Sequence, residues 1–249
     1  MTFPSVGRPA SLAILDFGWF RVNAGRDIRL QGFLIETDAG ERILVDTGMP
    51  AEYATDPDAA SDRDGLHSFG RVLELGAEQS VAGQLARLGL APGDIDLVIL
   101  THGHIDHVGG LAEVAHAPII VAAAERAEPR PLWFGDARPM AWPEACYVTL
   151  DGDACLGPGL EVLLCPGHSP GTLAVLVDLP VSGAVCLTSD VVSRPAEIDE
   201  AFAEAWDPPA ARASSARLLA QADARAAWVV FGHCPAQGPT LTPAPHRYT

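Results

Sequence analysis

Positive charge is scarce in this chain. Sixteen Lys and Arg face 32 Asp and Glu, for a formal net charge of −16 over 249 residues. A nucleic-acid footprint needs clustered basic side chains, so that class of partner is excluded. Long apolar runs are also missing, and with them any membrane span. The first residues, Met1-Thr2-Phe3-Pro4-Ser5-Val6-Gly7-Arg8, lack the charged-then-apolar layout of a secretory signal. Five cysteines, an odd number with no CxxC spacing, argue against a disulfide framework and for reduced thiols in the cytoplasm. There is no internal repeat and no Gly/Ser-rich linker, and the expectation is one domain over 1–249 with a sizeable core.

What is present is concentrated in one stretch, Thr101-His102-Gly103-His104-Ile105-Asp106-His107-Val108-Gly109-Gly110. Four metal-capable side chains fall within six residues, directly after the apolar run 95–100. On an extended strand end His102 and His104 point the same way and can meet one ion. Asp106 and His107, on the following turn, can aim at a second position. Imidazole with carboxylate suits Zn²⁺, Mn²⁺, Fe²⁺ or Co²⁺ better than Ca²⁺.

The rest of the chain is read for what could complete that site. Strands are expected at 12–17, 32–37 and 42–45, the last two as a hairpin, and at 95–100, 118–122, 146–150, 160–165, 173–179, 184–188 and 227–231. Helical spacing appears over 80–90, 111–115, 123–127 and 209–222, whereas 51–70 reads as a long loop. His168, Asp190 and His233 each follow an apolar strand, as does Asp46. Together with the central motif they make seven candidate ligands: His102, His104, Asp106, His107, His168, Asp190 and His233. Seven donors suit two divalent cations that share a carboxylate, with zinc first among them. His116 and His246 read as surface residues, the latter near a frayed tail.

With these residues assembled, the chain resembles the metallo-β-lactamase superfamily over nearly its whole length. The matching marks are Leu44-Val45-Asp46-Thr47-Gly48, the HxHxDH block, Pro166-Gly167-His168-Ser169-Pro170-Gly171, Asp190 and Gly232-His233. The resemblance implies an α/β fold, a four-layered αββα sandwich of two mixed β-sheets flanked by helices. It implies that His102, His104 and His168 hold one cation, that Asp106, His107 and His233 hold the other, and that Asp190 bridges. Asp46 would orient ligands from behind, and Cys165, Cys186 and Cys234 would be packing residues.

Within the superfamily, the segment 43–50 is similar to the N-acyl-homoserine lactonase group. The activity implied is opening of a lactone ring, a quorum-quenching reaction, with Asp106 or Asp190 moving the proton. A small lactone or ester would be the partner. The residues leave a homodimer open, and also hydrolysis of another small ester or phosphodiester. A non-catalytic metal-binding regulator is the reading from a different class. Where that group carries a tyrosine near the lactone carbonyl, this chain has Ser193. His67, Phe69, Trp133, Ser193, Phe202 and Trp206 are the candidate substrate contacts.

Overall fold

The expected hairpin over 32–45 is present, as β2 (Asp27–Thr37) and β3 (Arg42–Val45), behind a longer β1 (Pro9–Val22). The computed structural model describes residues 5–249. Further strands follow as β4 (Gly70–Glu74), β5 (Leu97–Ile99), β6 (Ile119–Ala122), β7 (Tyr147–Leu150), β8 (Ala154–Gly157), β9 (Leu160–Leu164), β10 (Leu173–Leu179), β11 (Gly183–Leu187) and β12 (Trp228–Val230). The helices are α1 (Ala51–Thr55), α2 (Pro57–Asp64), α3 (Val81–Arg87), α4 (Ile105–Val108), α5 (Ala123–Ala127), α6 (Ala196–Asp199) and α7 (Pro208–Ala224).

Alternation along the strands builds the layers. Successive side chains of a strand face opposite ways. Ile43 and Val45 of β3 and Leu97 and Ile99 of β5 therefore pack inward against Val162, Val175 and Val177 of the other sheet. Leu44 and Val98 point outward to Val81 and Leu85 of α3. On the far side, Leu163, Ala174 and Leu176 turn outward onto Ala211, Leu218 and Ala222 of α7. Strands buried on both faces read as continuous apolar runs, and the result is the expected αββα order. One sheet has seven strands in the order β4-β1-β2-β3-β5-β6-β7, the other five in the order β12-β11-β10-β9-β8.

This topology delivers the polar loops to one edge. β3 and β5 run parallel, so Asp46 and His102 leave the seven-stranded sheet at the same end. β11 and β12 are also parallel, and β9 shares their direction because both β9 and β11 pair antiparallel to β10. A backbone bond from Leu173 N to Thr101 O, 2.9 Å, ties the two sheets together at that edge.

The structure corrects several expectations. Residues 51–70 are not a loop but α1, α2 and a short 3-10 turn, Leu66–Ser68. The Asp56 carboxylate accepts from Ala59 N (3.0 Å) and Pro57 occupies the first turn, a strong helix start. Gly65 closes the helix in the left-handed conformation (φ 74°). β4 and β8 escaped the sequence reading because both are edge strands with weak alternation. The tail is not frayed at Tyr248, which exchanges two backbone bonds with Leu12 (2.8 Å each), although His246 is exposed. His116 is exposed as expected, with Nε2 3.1 Å from Ile95 O.

Gly109 has a packing role beneath the central motif. A Cβ there would lie 2.3 Å from Pro50 N and 2.4 Å from Met49 C, both backbone atoms that have little room to yield. Gly109→Ala is expected to cost about 1–3 kcal/mol or more by overpacking. The drop would appear as a lower urea midpoint at unchanged slope, and an unchanged midpoint would refute the contact.

Candidate metal centre

Thr101 to His104 leave β5 as irregular backbone, and Asp106 and His107 sit on the single turn of α4. Asp190 lies in a 3-10 turn, Ser189–Val192, after β11, and Ser189 before it holds a positive φ of 46°. His168 follows β9, and His233 follows β12.

All seven sequence-derived residues converge, in two groups. His102, His104, His168 and Asp190 form one and Asp106, His107 and His233 the other, each with one ligand atom per residue within 4.8 Å of the rest. Asp190 faces both. Its Oδ2 is 3.1 Å from His168 Nε2 and 3.9 Å from His102 Nε2. Its Oδ1 is 3.0 Å from His233 Nε2 and 3.7 Å from His107 Nε2. Asp106 Oδ2 closes the second group at 3.3 Å from His233 Nε2 and 3.4 Å from His107 Nε2. In the first, His104 Nδ1 and His168 Nε2 stand 3.0 Å apart.

The protonation pattern follows from burial and charge. Burial, with neighbouring imidazoles, holds His102 far below the usual histidine value and His104 down to about 3. Burial opposes charge on His107 and His233 too. There Asp106, Asp46 and Asp190 outweigh it, raising His107 well above its ordinary value and His233 to about 9. Against the same opposition from burial, His107 lowers Asp106 and His233 lowers Asp190 below the usual carboxylate range.

The donor set fits a pair of cations. His102 Nε2, His107 Nε2, Asp106 Oδ2 and Asp190 Oδ1 are all buried and, among the described residues, have no hydrogen-bond partner. A buried polar atom without a partner costs about 1–3 kcal/mol. Four such atoms directed at two points are explained by ions at those points, and five imidazoles with two carboxylates suit borderline transition-metal ions.

Behind these atoms is a hydrogen-bonded frame. Asp46, itself at a positive φ of 61°, accepts from Thr101 N and Thr101 Oγ1 and meets His107 Nδ1, each at 2.8 Å. His233 Nδ1 donates to Arg29 O at 2.8 Å. Sequence reading reached Asp46 but not the Arg29 carbonyl, which no side-chain type announces. It also missed Glu125, whose place in the first turn of α5 looks like ordinary helix-end charge.

The pentapeptide Gly167-His168-Ser169-Pro170-Gly171 also spells the G-x-S-x-G of serine hydrolases. Here Ser169 is buried and its Oγ bonds Thr172 Oγ1 at 2.7 Å. Among the described residues no histidine hydrogen-bonds it, so it is not a triad nucleophile. All five cysteines are free thiols, and none belongs to either group. Burial raises Cys165 to about 11 and Cys186 to about 12, as inert packing residues.

The centre opens into a cavity of about 780 Å³. Phe69, Trp133, Ser193, Phe202 and Trp206 line it, as do Phe134 and Ile105. His67 does not. It is exposed on the outside, with Nε2 3.0 Å from Asp62 Oδ1, because the turn at Leu66–Ser68 directs Phe69 inward instead. Leu66 is core, and Trp142 is held away by its Nε1 bond to Glu128 O (2.8 Å) and by Arg126 over its ring. Arg26, Arg194, Glu197 and Glu200 also line the cavity. Arg194 pairs with Glu200, and Arg26 stands 3.9 Å from Glu197. Burial, and then Asp190, raise the Glu197 carboxyl above its ordinary value.

Comparison with known proteins gives a consistent answer. The family model for the metallo-beta-lactamase superfamily matches residues 32–233. N-acyl homoserine lactonase AiiA of Bacillus thuringiensis subsp. kurstaki is 32% identical over 209 residues, covering 81% of this chain and 79% of that protein. The human metallo-beta-lactamase domain-containing protein 1 is 34% identical over 163 residues, covering 64% of this chain and 54% of that protein. Among solved structures, an N-acyl homoserine lactone hydrolase with the product N-hexanoyl-L-homoserine at its catalytic metal center superposes with a TM-score of 0.81. Its identity is 27%, and the match covers 97% of this chain and 100% of that one.

Proposed function

Because this chain belongs to the metallo-beta-lactamase superfamily, we propose that its histidine–carboxylate centre holds two divalent cations and opens the lactone ring of N-acyl homoserine lactones. The chain is a metal-dependent hydrolase of ester bonds, in line with its lactonase relatives. The observation that carries the reading is Asp190, whose two oxygens face the two ligand groups separately.

In this reading His102, His104 and His168 hold one cation, Asp106, His107 and His233 the other, and Asp190 both. Zinc is the first choice for this donor set, with Mn, Fe or Co as substitutes. Bound there, the cations supply Lewis-acid polarisation of the ester carbonyl and lower the pKa of an attacking water. Asp106 or Asp190 takes the water's proton and returns it to the leaving alkoxide. Water adds to the carbonyl carbon, the ring C–O bond breaks, and an N-acyl homoserine results. Such a reaction would quench quorum signalling, and the five free thiols suit a reducing cytoplasm. No helix among the described residues is long and apolar enough to cross a membrane.

The cleft favours a neutral ester over a phosphodiester. Among the described residues its two arginines are engaged by Glu200 and Glu197, so beyond the proposed metal cations a phosphate would meet carboxylates with no free cationic side chain. The test is hydrolysis of homoserine lactones of graded chain length beside an aryl ester and a phosphodiester. Turnover of the phosphodiester with none of the lactones would overturn the assignment.

Phe69 is 43% exposed at the cleft and stacks between Phe20 and Phe134, with centroids 5.9 Å from each. Loss of that ring removes apolar contact worth about 1.4 kcal/mol or more, a factor of ten in affinity. Phe69→Ala should raise KM for an N-decanoyl lactone about ten-fold. KM for an N-butanoyl lactone should stay nearly unchanged, and equal effects on both would remove Phe69 from the acyl wall.

A further inference from the structure

The imidazoles of the two groups are held differently. His107 is fixed by Asp46 at 2.8 Å and His233 by Arg29 O at 2.8 Å, while His102 Nδ1 lies 3.1 Å from Thr101 Oγ1. For His104 and His168 the described residues offer no such partner behind the ring; their ring nitrogens meet each other at 3.0 Å and, for His168, Asp190 Oδ2 at 3.1 Å. Something else has to hold these two rings, which come from loops of different sheets, in a fixed relation.

Glu125 sits between those loops. Its side chain is buried (3% exposed) at the start of α5, and Oε2 accepts from Gly103 N at 3.1 Å while Oε1 accepts from Gly171 N at 3.0 Å. Gly103 lies between His102 and His104, and Gly171 three residues past His168. Among the described residues no cationic side chain pairs with Glu125, so its two oxygens are spent on these two amides. Both partners are glycines where space is tight. A Cβ on Gly103 would come within 3.2 Å of Oε2, and one on Gly171 within 3.1 Å of the Glu125 Cγ.

The geometry points to Glu125 as a positioning residue for the cation site of His102, His104 and His168, clamping its two ligand loops to a single carboxyl group. This rests on the dinuclear reading above. Groups behind metal ligands typically alter affinity by about 10- to 100-fold when removed. Asp46 and the Arg29 carbonyl serve the other cation, so the effect of Glu125 should be confined to one of the two equivalents.

The experiment is Co²⁺ titration of the metal-free protein, read by visible absorption and by competition with a chelating dye. The wild-type protein should take up two equivalents. In Glu125→Gln, which keeps one acceptor oxygen, one equivalent should weaken about ten-fold, with an altered visible band. In Glu125→Ala the same equivalent should weaken about a hundred-fold, and the other should stay near its wild-type affinity. Gly103→Ala, which presses on Oε2 while leaving every ligand in place, should weaken that same equivalent if Glu125→Ala fails to fold. Two equivalents bound with wild-type affinities and spectra in Glu125→Gln and Gly103→Ala, whatever their melting temperatures, would overturn the clamp. Fewer than two equivalents in the wild type would instead overturn the dinuclear reading on which it rests.

Discussion

Treatment with a strong chelator should abolish lactone hydrolysis, lowering the rate at least about a thousand-fold, and added Zn²⁺, Mn²⁺ or Co²⁺ should restore it. The same treatment should lower thermal stability. Without cations, His102 Nε2, His107 Nε2, Asp106 Oδ2 and Asp190 Oδ1 remain buried with no hydrogen-bond partner among the described residues, each at a cost of about 1–3 kcal/mol. A cation at a thousand times its dissociation constant adds about 4 kcal/mol per site. For a chain of this size, 1 kcal/mol moves the midpoint by about 2–4 °C, so emptying both sites should lower it by roughly 15–30 °C. Asp190→Asn should lose bound metal at both positions, since this carboxylate faces both groups. The measurements are metal content, initial rate and a melting curve before and after reloading. Full activity in metal-free protein would sink the mechanism.

Asp46→Ala should be the most damaging substitution outside the proposed ligands. The Asp46 carboxylate is buried and makes three contacts at 2.8 Å, to Thr101 N, Thr101 Oγ1 and His107 Nδ1. Removing one partner of a buried charge-bearing network costs about 3–5 kcal/mol. Replacing Asp46 by alanine also leaves His107 Nδ1 with only the Thr101 hydroxyl, 3.4 Å away, to set its ring and tautomer, for a further loss of about 10- to 100-fold in metal affinity. Alanine fits the left-handed φ of 61° less well than aspartate does. Urea denaturation of the metal-loaded and metal-free forms separates the two effects. A loss in the loaded form alone would mean that Asp46 serves the cations and not the fold.

The chain and the fold contribute to this site in different ways. HxHxDH was legible because four ligand-type residues within six positions report a site without knowledge of the fold. His168, Asp190 and His233 were legible for a second reason. Each stands just past an apolar strand, and strands buried on both faces are the plainest pattern in this sequence. The edge strands β4 and β8 carry no such run, so they were missed. The helices over 51–64 were missed although Asp56, Pro57 and Gly65 mark their boundaries, because α2 is polar along most of its length and shows little apolar periodicity.

By itself, then, the sequence determined the layered α/β fold, the seven candidate ligands and the chemistry those donors support. All of that is written in residue type and short-range spacing. Only the tertiary structure decided that Asp190 turns one oxygen to each group, that Asp46, Arg29 O and Glu125 frame the ligands, and that Phe69 rather than His67 faces the cleft. These are relations between residues far apart in the chain, and several run through backbone amides and carbonyls. Every residue carries those groups, so no pattern of side chains can announce which of them will be used.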